Sequence, residues 1–364
     1  MNNQLKDDFE LLNLMNADMD NANELYKPTN YWAYKASFLM PNLVKEGLKD
    51  FRRKSSSVFS SFGGVDIYPS YLLDIRKSRI FNNRFLRDID AWKKILNFLN
   101  KIINIFVNLI PGLKTYLIRK PYRFAKSIEK GTNAKSIDLF DASLAGNPEY
   151  VFKVNDKTYT NNIIDYYIRY VYCSKFINFD DIKVIVELGS GSCKLTEVIK
   201  KLHPHITFLL FDISPQLYVG ESYLKEVFKD DVVSFRETRE MSKIPELEQG
   251  KIYFFGSWQI PFLKDFKYDI FFNLTSFQEM EPNVVANYIS FINGNSKYVY
   301  LHSKMDGKEI AVEKGGFGVL EQTTLKDFTK GFSKYKMIDI EDSKKETGEY
   351  KWMGHKDSFW VINE

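Results

Sequence analysis

The stretch Val184-Ile-Val-Glu-Leu-Gly-Ser-Gly-Ser-Cys193, followed by Phe208-Leu-Leu-Phe-Asp212, decides the reading of this chain. A short β-branched and apolar run ends in Glu187 and enters a turn holding Gly189 and Gly191. A helical segment follows, then a second apolar run ending in Asp212. Strand, glycine turn, helix and acid-tipped strand make a unit across which a nucleotide-like ligand can lie.

Outward from that unit, strands and helices alternate. The expected strands are 183–188, 206–211, 251–256, 268–274 and 297–302, with helices at 193–202, 215–229 and 282–292. That alternation predicts a parallel, doubly wound sheet. Tyr335-Lys-Met-Ile-Asp-Ile340 and Ser358-Phe-Trp-Val-Ile-Asn363 read as a terminal antiparallel hairpin. Ahead of the sheet, turn signals at Gly131-Thr-Asn, Leu144-Ala-Gly-Asn-Pro148 and Asn155-Asp-Lys mark a change of character. A tyrosine-rich helix is expected over 161–179. The chain is therefore read as α/β: a mostly helical N-terminal region over 1–145, then a Rossmann-like sheet domain over 146–364.

The totals agree with two units, since 364 residues exceed one typical domain and a 44% apolar share can support a sizeable core. The net charge of +4, from 51 bases and 47 acids, is too small to argue for a nucleic-acid partner. Two cysteines, Cys173 and Cys193, give no disulfide framework and no multi-cysteine metal cluster, which suits a reducing cytosol. The polar start shows no signal peptide, and no run of about 18 apolar residues reads as a membrane span. A cytoplasmic location is expected, with peripheral contact at the inner face of a membrane as an option. That option comes from 91–110, where Ile95, Phe98, Ile102, Phe106 and neighbours form an apolar face opposite Asn97, Lys101 and Asn108. Such a helix either buries its face in its own domain or rests on an anionic membrane. Pro28-Thr29-Asn30 reads as a helix start capped by Thr29 or Asn30. Tyr31 and Trp32 read as packing residues, or as a stacking platform for a sugar ring. Phe51-Arg52-Arg53-Lys54 reads as a solvated loop and Gly63-Gly64 as a turn.

The glycine turn restricts the ligand. Lys194 stands where a dinucleotide fingerprint wants Gly or Ala, and no Gly-Lys-Ser/Thr follows to make a phosphate loop. What remains is a ligand without a pyrophosphate: an adenosyl group carrying a cationic sulfonium and an amino-acid tail. Glu187 suits a positive ligand, and Asp212 can accept both ribose hydroxyls.

These residues resemble the class I S-adenosylmethionine-dependent methyltransferases, and more narrowly the bacterial sugar O-methyltransferase family linked to surface polysaccharide biosynthesis. The narrower resemblance is carried by Leu144-Ala-Gly-Asn-Pro-Glu149, Val186-Glu-Leu-Gly-Ser-Gly191, Phe211-Asp-Ile-Ser-Pro-Gln-Leu-Tyr218 with Tyr223-Leu224, and Ser276-Phe-Gln-Glu-Met280 with Tyr288-Ile289. It implies S-adenosyl-L-methionine as cofactor, held at Glu187, Gly189, Ser190, Gly191, Asp212 and Ile213, and by Ser257, Trp258 and Asn273 after the next strands. Core packing is the other fate open to Trp258. Cys193 departs from the family, where many relatives carry a third glycine, and its side chain would crowd the ligand slightly.

The expected reaction is methyl transfer to a sugar hydroxyl, on a sugar, nucleotide-sugar or glycan acceptor, with a glycosyltransferase as a possible neighbour. Such a hydroxyl is a weak acid, so a general base near neutral pKa is wanted. His302, at a strand's C-terminal end, is the first candidate; Glu279 is the second, with Gln278 beside it. Glu279 with Glu281 equally reads as charging the first turn of a helix that Pro282 starts. His203 and His205 read as surface residues, and His355 as part of the hairpin loop. A divalent metal stays open, for Glu279, Asp306 and Asp269 lie in plausible segments but no spacing compels a site. The loop from Lys304 through Gly318 reads as an acceptor lid or a plain connection. Three other readings stand beside this one: a methyltransferase of the same fold on a non-sugar small molecule, a non-catalytic binding or scaffold protein, and an NAD-dependent sugar-modifying enzyme, against which Lys194 counts.

Overall fold

A computed structural model describes residues 5–53, 112–344 and 351–363, with 94–95, 97–99, 101–102, 105 and 109–110. Among the described residues ten strands run in chain order: β1 Phe152–Val154, β2 Lys157–Tyr159, β3 Val184–Leu188, β4 Thr207–Asp212, β5 Val232–Val233, β6 Ile252–Gly256, β7 Tyr268–Leu274, β8 Ser296–Lys304, β9 Tyr335–Lys344 and β10 Lys351–Ile362. The helices are α1 Phe9–Asp20, α2 Asn30–Glu46, α3 Leu113–Ile118, α4 Lys120–Ile128, α5 Asn161–Cys173, α6 Lys194–Leu202, α7 Gln216–Phe228, α8 Phe235–Thr238, α9 Pro282–Ile292 and α10 Leu325–Gly331.

Eight strands form one sheet in the order β5-β6-β4-β3-β7-β8-β10-β9. The pairs from β5 through β8 are parallel, and β10 runs antiparallel to both β8 and β9. Parallel strands are covered on both faces, which is why β4 and β7 are buried at every position. The side chains nevertheless alternate between two cores. Phe208 and Leu210 face one layer with α5, α6 and α7, whereas Leu209 and Phe211 face the other with α9 and α10. The chain moves outward from β3 through β4 to β6, returns to β7 beside β3, and moves outward again to β8. The reversal at β3/β7 opens a crevice beyond the strands' C-terminal ends.

The expected strands and helices agree with these elements to within about two residues, apart from three differences. The helix expected over 161–179 stops at Cys173. The hairpin strands are longer than read, so His355 lies within β10 opposite Lys304 and not in a loop. The turn at Asn155-Asp156 joins a small hairpin, β1–β2. Much of the 91–110 segment, and the turn at Gly63-Gly64, lie outside the described residues.

The N-terminal helices pack on the sheet's first layer. Leu11, Leu12, Met15, Leu39 and Leu43 share one buried cluster with Ile185, Leu210 and Phe272. Arg236 ties to Asp8 at 2.8 Å, and Arg239 to Asp18 at 2.8 Å. Phe51 and Arg52 are buried, which corrects the solvated-loop reading. Arg52 Nη1 donates to the carbonyls of Ser143 (2.6 Å) and Ala145 (3.0 Å), and Phe51 lies against Gly146, where a Cβ would meet its ring. The pieces at 51–52 and 144–146 are thus one packing unit. No helix among the described residues is long and apolar enough to cross a membrane.

Candidate active site

The crevice holds a cavity of about 260 Å³, just under the roughly 300 Å³ at which ligand pockets begin. Five strand ends feed it, and β6, ending at Gly256, delivers Ser257. β3 delivers Glu187 and the turn through Ser192, and β4 delivers Asp212 and Ile213. β7 delivers Leu274 through Ser276, and β8 delivers His302. Tyr31 and Trp32 reach it from α2, and Asp165, Tyr166 and Arg169 from α5.

The turn is built for close approach. Gly189 has φ +76, and a Cβ there would lie 2.3 Å from Ser276 Oγ. Asn273 holds this junction from behind: its amide donates to the Leu188 carbonyl (3.0 Å) and to Ser276 Oγ (2.6 Å). Asn273 therefore supports the turn and does not line the cavity. Cys193 adopts φ +54, the left-handed region where glycine is favoured. Its sulfur points into α7, where a Cβ on Gly220 would come within 2.6 Å of it. The expected crowding of a ligand by Cys193 is thus absent, because Gly220 leaves room for the thiol.

Two carboxyls face the cavity with their charge suppressed by burial. Glu187 has Thr196 Oγ1 at 3.2 Å, and burial pushes its pKa up to about 8. Asp212 accepts the Gly191 N–H on Oδ2 (2.7 Å) and the Ile213 N–H on Oδ1 (2.8 Å). Burial still raises it to about 7, against those two bonds. A cation or hydroxyl donors entering here would favour both ionised forms. Each Asp212 oxygen keeps a lone pair beyond its backbone bond.

Opposite lies a second constellation. His302 Nδ1 is 2.9 Å from Asp357 Oδ1 and 3.0 Å from Ser343 Oγ, and the ring lines the cavity. Ser343 also donates to Asp357 Oδ2 (2.7 Å), and Tyr300 donates to Oδ1 (2.7 Å). Burial and the nearby Arg169 guanidinium lower the His302 pKa, which keeps the imidazole neutral. Against its burial, Asp357 is held well below the usual carboxylate range by Arg169 and His302. A neutral imidazole backed by a carboxylate can take up a proton.

Glu279 also lines the cavity. Trp32 Nε1 donates to it at 3.1 Å and Lys308 Nζ at 2.9 Å. Burial raises its pKa, and Lys308 opposes the rise. The expected cap at Thr29 is spent elsewhere: its hydroxyl donates to the Glu279 carbonyl at 2.9 Å. Asn30 donates to the carbonyls of Gly316 (3.0 Å) and Gly318 (2.9 Å), so the 304–318 loop is tied to α2.

Of the remaining expectations, Gln278, Trp258 and His203 need correction. Gln278 does not reach the cavity; it sits 3.1 Å from His355 Nε2 and accepts from the Lys304 N–H, bracing β8 against β10. Trp258 packs over Gly256 and edge-on to Phe235, the core alternative. Ser257 does line the cavity, donating to the Tyr26 carbonyl at 3.0 Å. His203 is fully buried, between Tyr170 and Asp180 at 2.9 Å each, at the far end of the sheet. Among the described residues no three His, Cys, Asp or Glu side chains gather to hold a metal. Sequence reasoning missed Asp165, Arg169, Ser192 and Gln216. Two of these had a local signal: Ser192, inside the glycine turn, and Gln216, four positions beyond Asp212.

The sheet order, parallel from β5 through β8 with an antiparallel hairpin at the far edge, is a Rossmann-like α/β architecture with its crevice at the strand ends. No family model and no curated relative matches the sequence. Among solved structures the chain is similar to the mitomycin 7-O-methyltransferase MmcR, at 9% identity over 51% of each chain with a TM-score of 0.35. It is similar to magnesium protoporphyrin IX methyltransferase (ChlM) from Synechocystis PCC 6803 with bound SAH, at 11% identity over 55% of this chain and 81% of that one, TM-score 0.36. A third is human N-acetylserotonin methyltransferase in complex with SAM, at 10% identity over 55% and 56%, TM-score 0.32. The chain spans about half the length of the first of these.

Proposed function

We propose that this chain is an S-adenosylmethionine-dependent O-methyltransferase whose acceptor is a sugar hydroxyl. The supporting observation is one cavity with two unlike sides: Glu187 and Asp212 around a glycine turn, and the His302–Asp357 pair across from them. The donor side fits its ligand chemically. Two carboxyls whose charge burial suppresses gain from a cation and from hydroxyl donors. When bound, the donor supplies an electrophilic methyl group on a sulfonium. The chain's own part is to hold the acceptor oxygen in line and receive its proton. His302 Nδ1 is committed to Asp357, which orients the ring and stabilises the imidazolium that proton uptake creates.

The sugar acceptor is favoured by Trp32 and Tyr31 lining the same cavity, with Glu279 held between Trp32 and Lys308. An aromatic face suits the C–H face of a pyranose, and a carboxylate suits its hydroxyls. The same aromatic lining also favours a planar aromatic acceptor, which is the second reading. Incubation with labelled S-adenosylmethionine and two acceptor panels, nucleotide sugars and phenols, separates them. Transfer to phenols alone rejects the sugar. Absence of donor binding by calorimetry rejects the enzyme reading and leaves a binding protein.

A further inference from the structure

Three polar side chains that line the cavity, Ser190, Ser192 and Gln216, have no hydrogen-bond partner of their own. Gln216 is 3% exposed, and neither its amide oxygen nor its amide nitrogen makes a hydrogen bond. Ser192 is 2% exposed with an unbonded hydroxyl. Both line the cavity. Buried polar groups are almost always satisfied, so an orphaned amide and hydroxyl facing one space call for a ligand that completes them.

Their position says which part of the ligand. Gln216 opens α7, and Gly220 lies one turn further along the same helix face. A Cβ on Gly220 would sit 2.6 Å from Cys193 Sγ and 2.9 Å from the Gly191 carbonyl, so that face is pressed onto the glycine turn. Gln216 thus enters beside Gly191, whose N–H is already bonded to Asp212. Asp212 only accepts when ionised, and each of its oxygens already takes one backbone N–H. It can receive two hydroxyl protons, but it offers no donor to the hydroxyl oxygens. An amide that both donates and accepts supplies what is missing.

We propose that Gln216, with Ser192, completes a ribose-diol subsite around Asp212 and makes the site selective for ribonucleosides over deoxyribonucleosides. The inference rests on the donor reading above and names the residues that discriminate sugar within it. Gln216 is a positioning and specificity residue and takes no part in the transfer.

The test is calorimetric and needs no turnover. S-adenosylhomocysteine and its 2′-deoxy and 3′-deoxy forms are titrated into wild-type protein, Gln216→Met and Ser192→Ala. Methionine keeps the length and removes both hydrogen-bonding atoms. Gln216→Met is expected to bind S-adenosylhomocysteine roughly 10-fold more weakly, the loss of one to two net hydrogen bonds. It should also lose most of the wild type's preference for the ribose form over at least one deoxy form. Ser192→Ala should weaken binding about threefold. Without ligand, Gln216→Met should melt at or above the wild-type temperature, since an orphaned amide has been replaced by an apolar group. A purely structural role predicts the opposite sign. Wild-type-like affinity in Gln216→Met overturns the assignment, and so does equal weakening toward ribose and deoxyribose ligands. Failure of the wild-type protein to bind any of the three ligands overturns the donor reading itself, which is a different result.

Discussion

Glu187→Gln should make the ligand-free protein more stable near neutral pH while it damages donor binding. Glu187 is 3% exposed, and its pKa stands near 8 because burial penalises the charge. In the unfolded chain the same carboxyl titrates near 4.5. Its folded pKa is raised, so the folded state binds more protons between those values, and stability falls as pH rises through that window. For a single site with these two pKa values, linkage gives a cost of roughly 1 kcal/mol at pH 5 and roughly 3 kcal/mol at pH 7. Glutamine is nearly isosteric and carries no such cost. The stability gap between variant and wild type should therefore widen by roughly 2 kcal/mol from pH 5 to pH 7, in the variant's favour. Urea unfolding of both proteins without ligand, at pH 5, 6 and 7, measures this directly. Parallel stability curves would refute the claim that Glu187 is held protonated by burial. The same substitution removes the counter-charge for a cationic ligand, so S-adenosylmethionine should lose more affinity than S-adenosylhomocysteine.

Other outcomes follow from neighbouring residues. His302→Ala should lower turnover by roughly 10²- to 10⁴-fold with donor affinity intact; single-turnover kinetics on acceptor and S-adenosylhomocysteine calorimetry report the two parts, and unchanged turnover removes His302 from the role. Donor affinity should rise from pH 6 to pH 8, because Asp212 near 7 must shed its proton to accept hydroxyls; Asp212→Asn should bind weakly at every pH, and a flat wild-type profile would count against the mechanism. Gly189→Ala places a Cβ 2.3 Å from Ser276 Oγ at φ +76 and should lower the melting temperature. Ser276→Gly in the same chain should recover only the steric share, leaving a backbone cost of roughly 1–2 kcal/mol; complete recovery would mean the backbone is not strained. Trp32→Phe deletes the indole N–H that holds Glu279 and should raise the acceptor KM several-fold with the donor Kd unchanged.

The donor side of the cavity was readable because its residues are local. Glu187, Gly189, Gly191 and Asp212 fall within 26 positions, and the alternation around them gives strand ends directly. His302 was placed by the same rule. What escaped was everything set by contacts between distant segments. Trp32 meets Glu279 from 247 residues away, and Arg52 meets the carbonyls at 143 and 145 from 91 and 93 away. No periodicity encodes such distances. Gln278 looked like Glu279's equal in sequence, yet a 3₁₀ turn sends one toward β10 and the other toward the cavity. His355 was misplaced because a polar stretch of β10 looks like loop when its burial comes from β8 and β9 on either side.

The seam between α2 and the sheet carries one more implication. The side of the cavity that would touch an acceptor is covered by a separate stretch of chain. It is held there by the burial of Leu39 and Leu43 and by polar bonds, from Thr29 to the Glu279 carbonyl, from Trp32 to the Glu279 side chain, from Asn30 to the 316–318 backbone, and from Ser257 to the Tyr26 carbonyl. The chemistry-bearing strand ends contribute only one partner to each bond, often a carbonyl that any residue supplies. On the proposed function, substitutions at 26–35 and in the facing loop would change the acceptor side of the cavity while Glu187, Asp212 and His302 keep their places on the sheet.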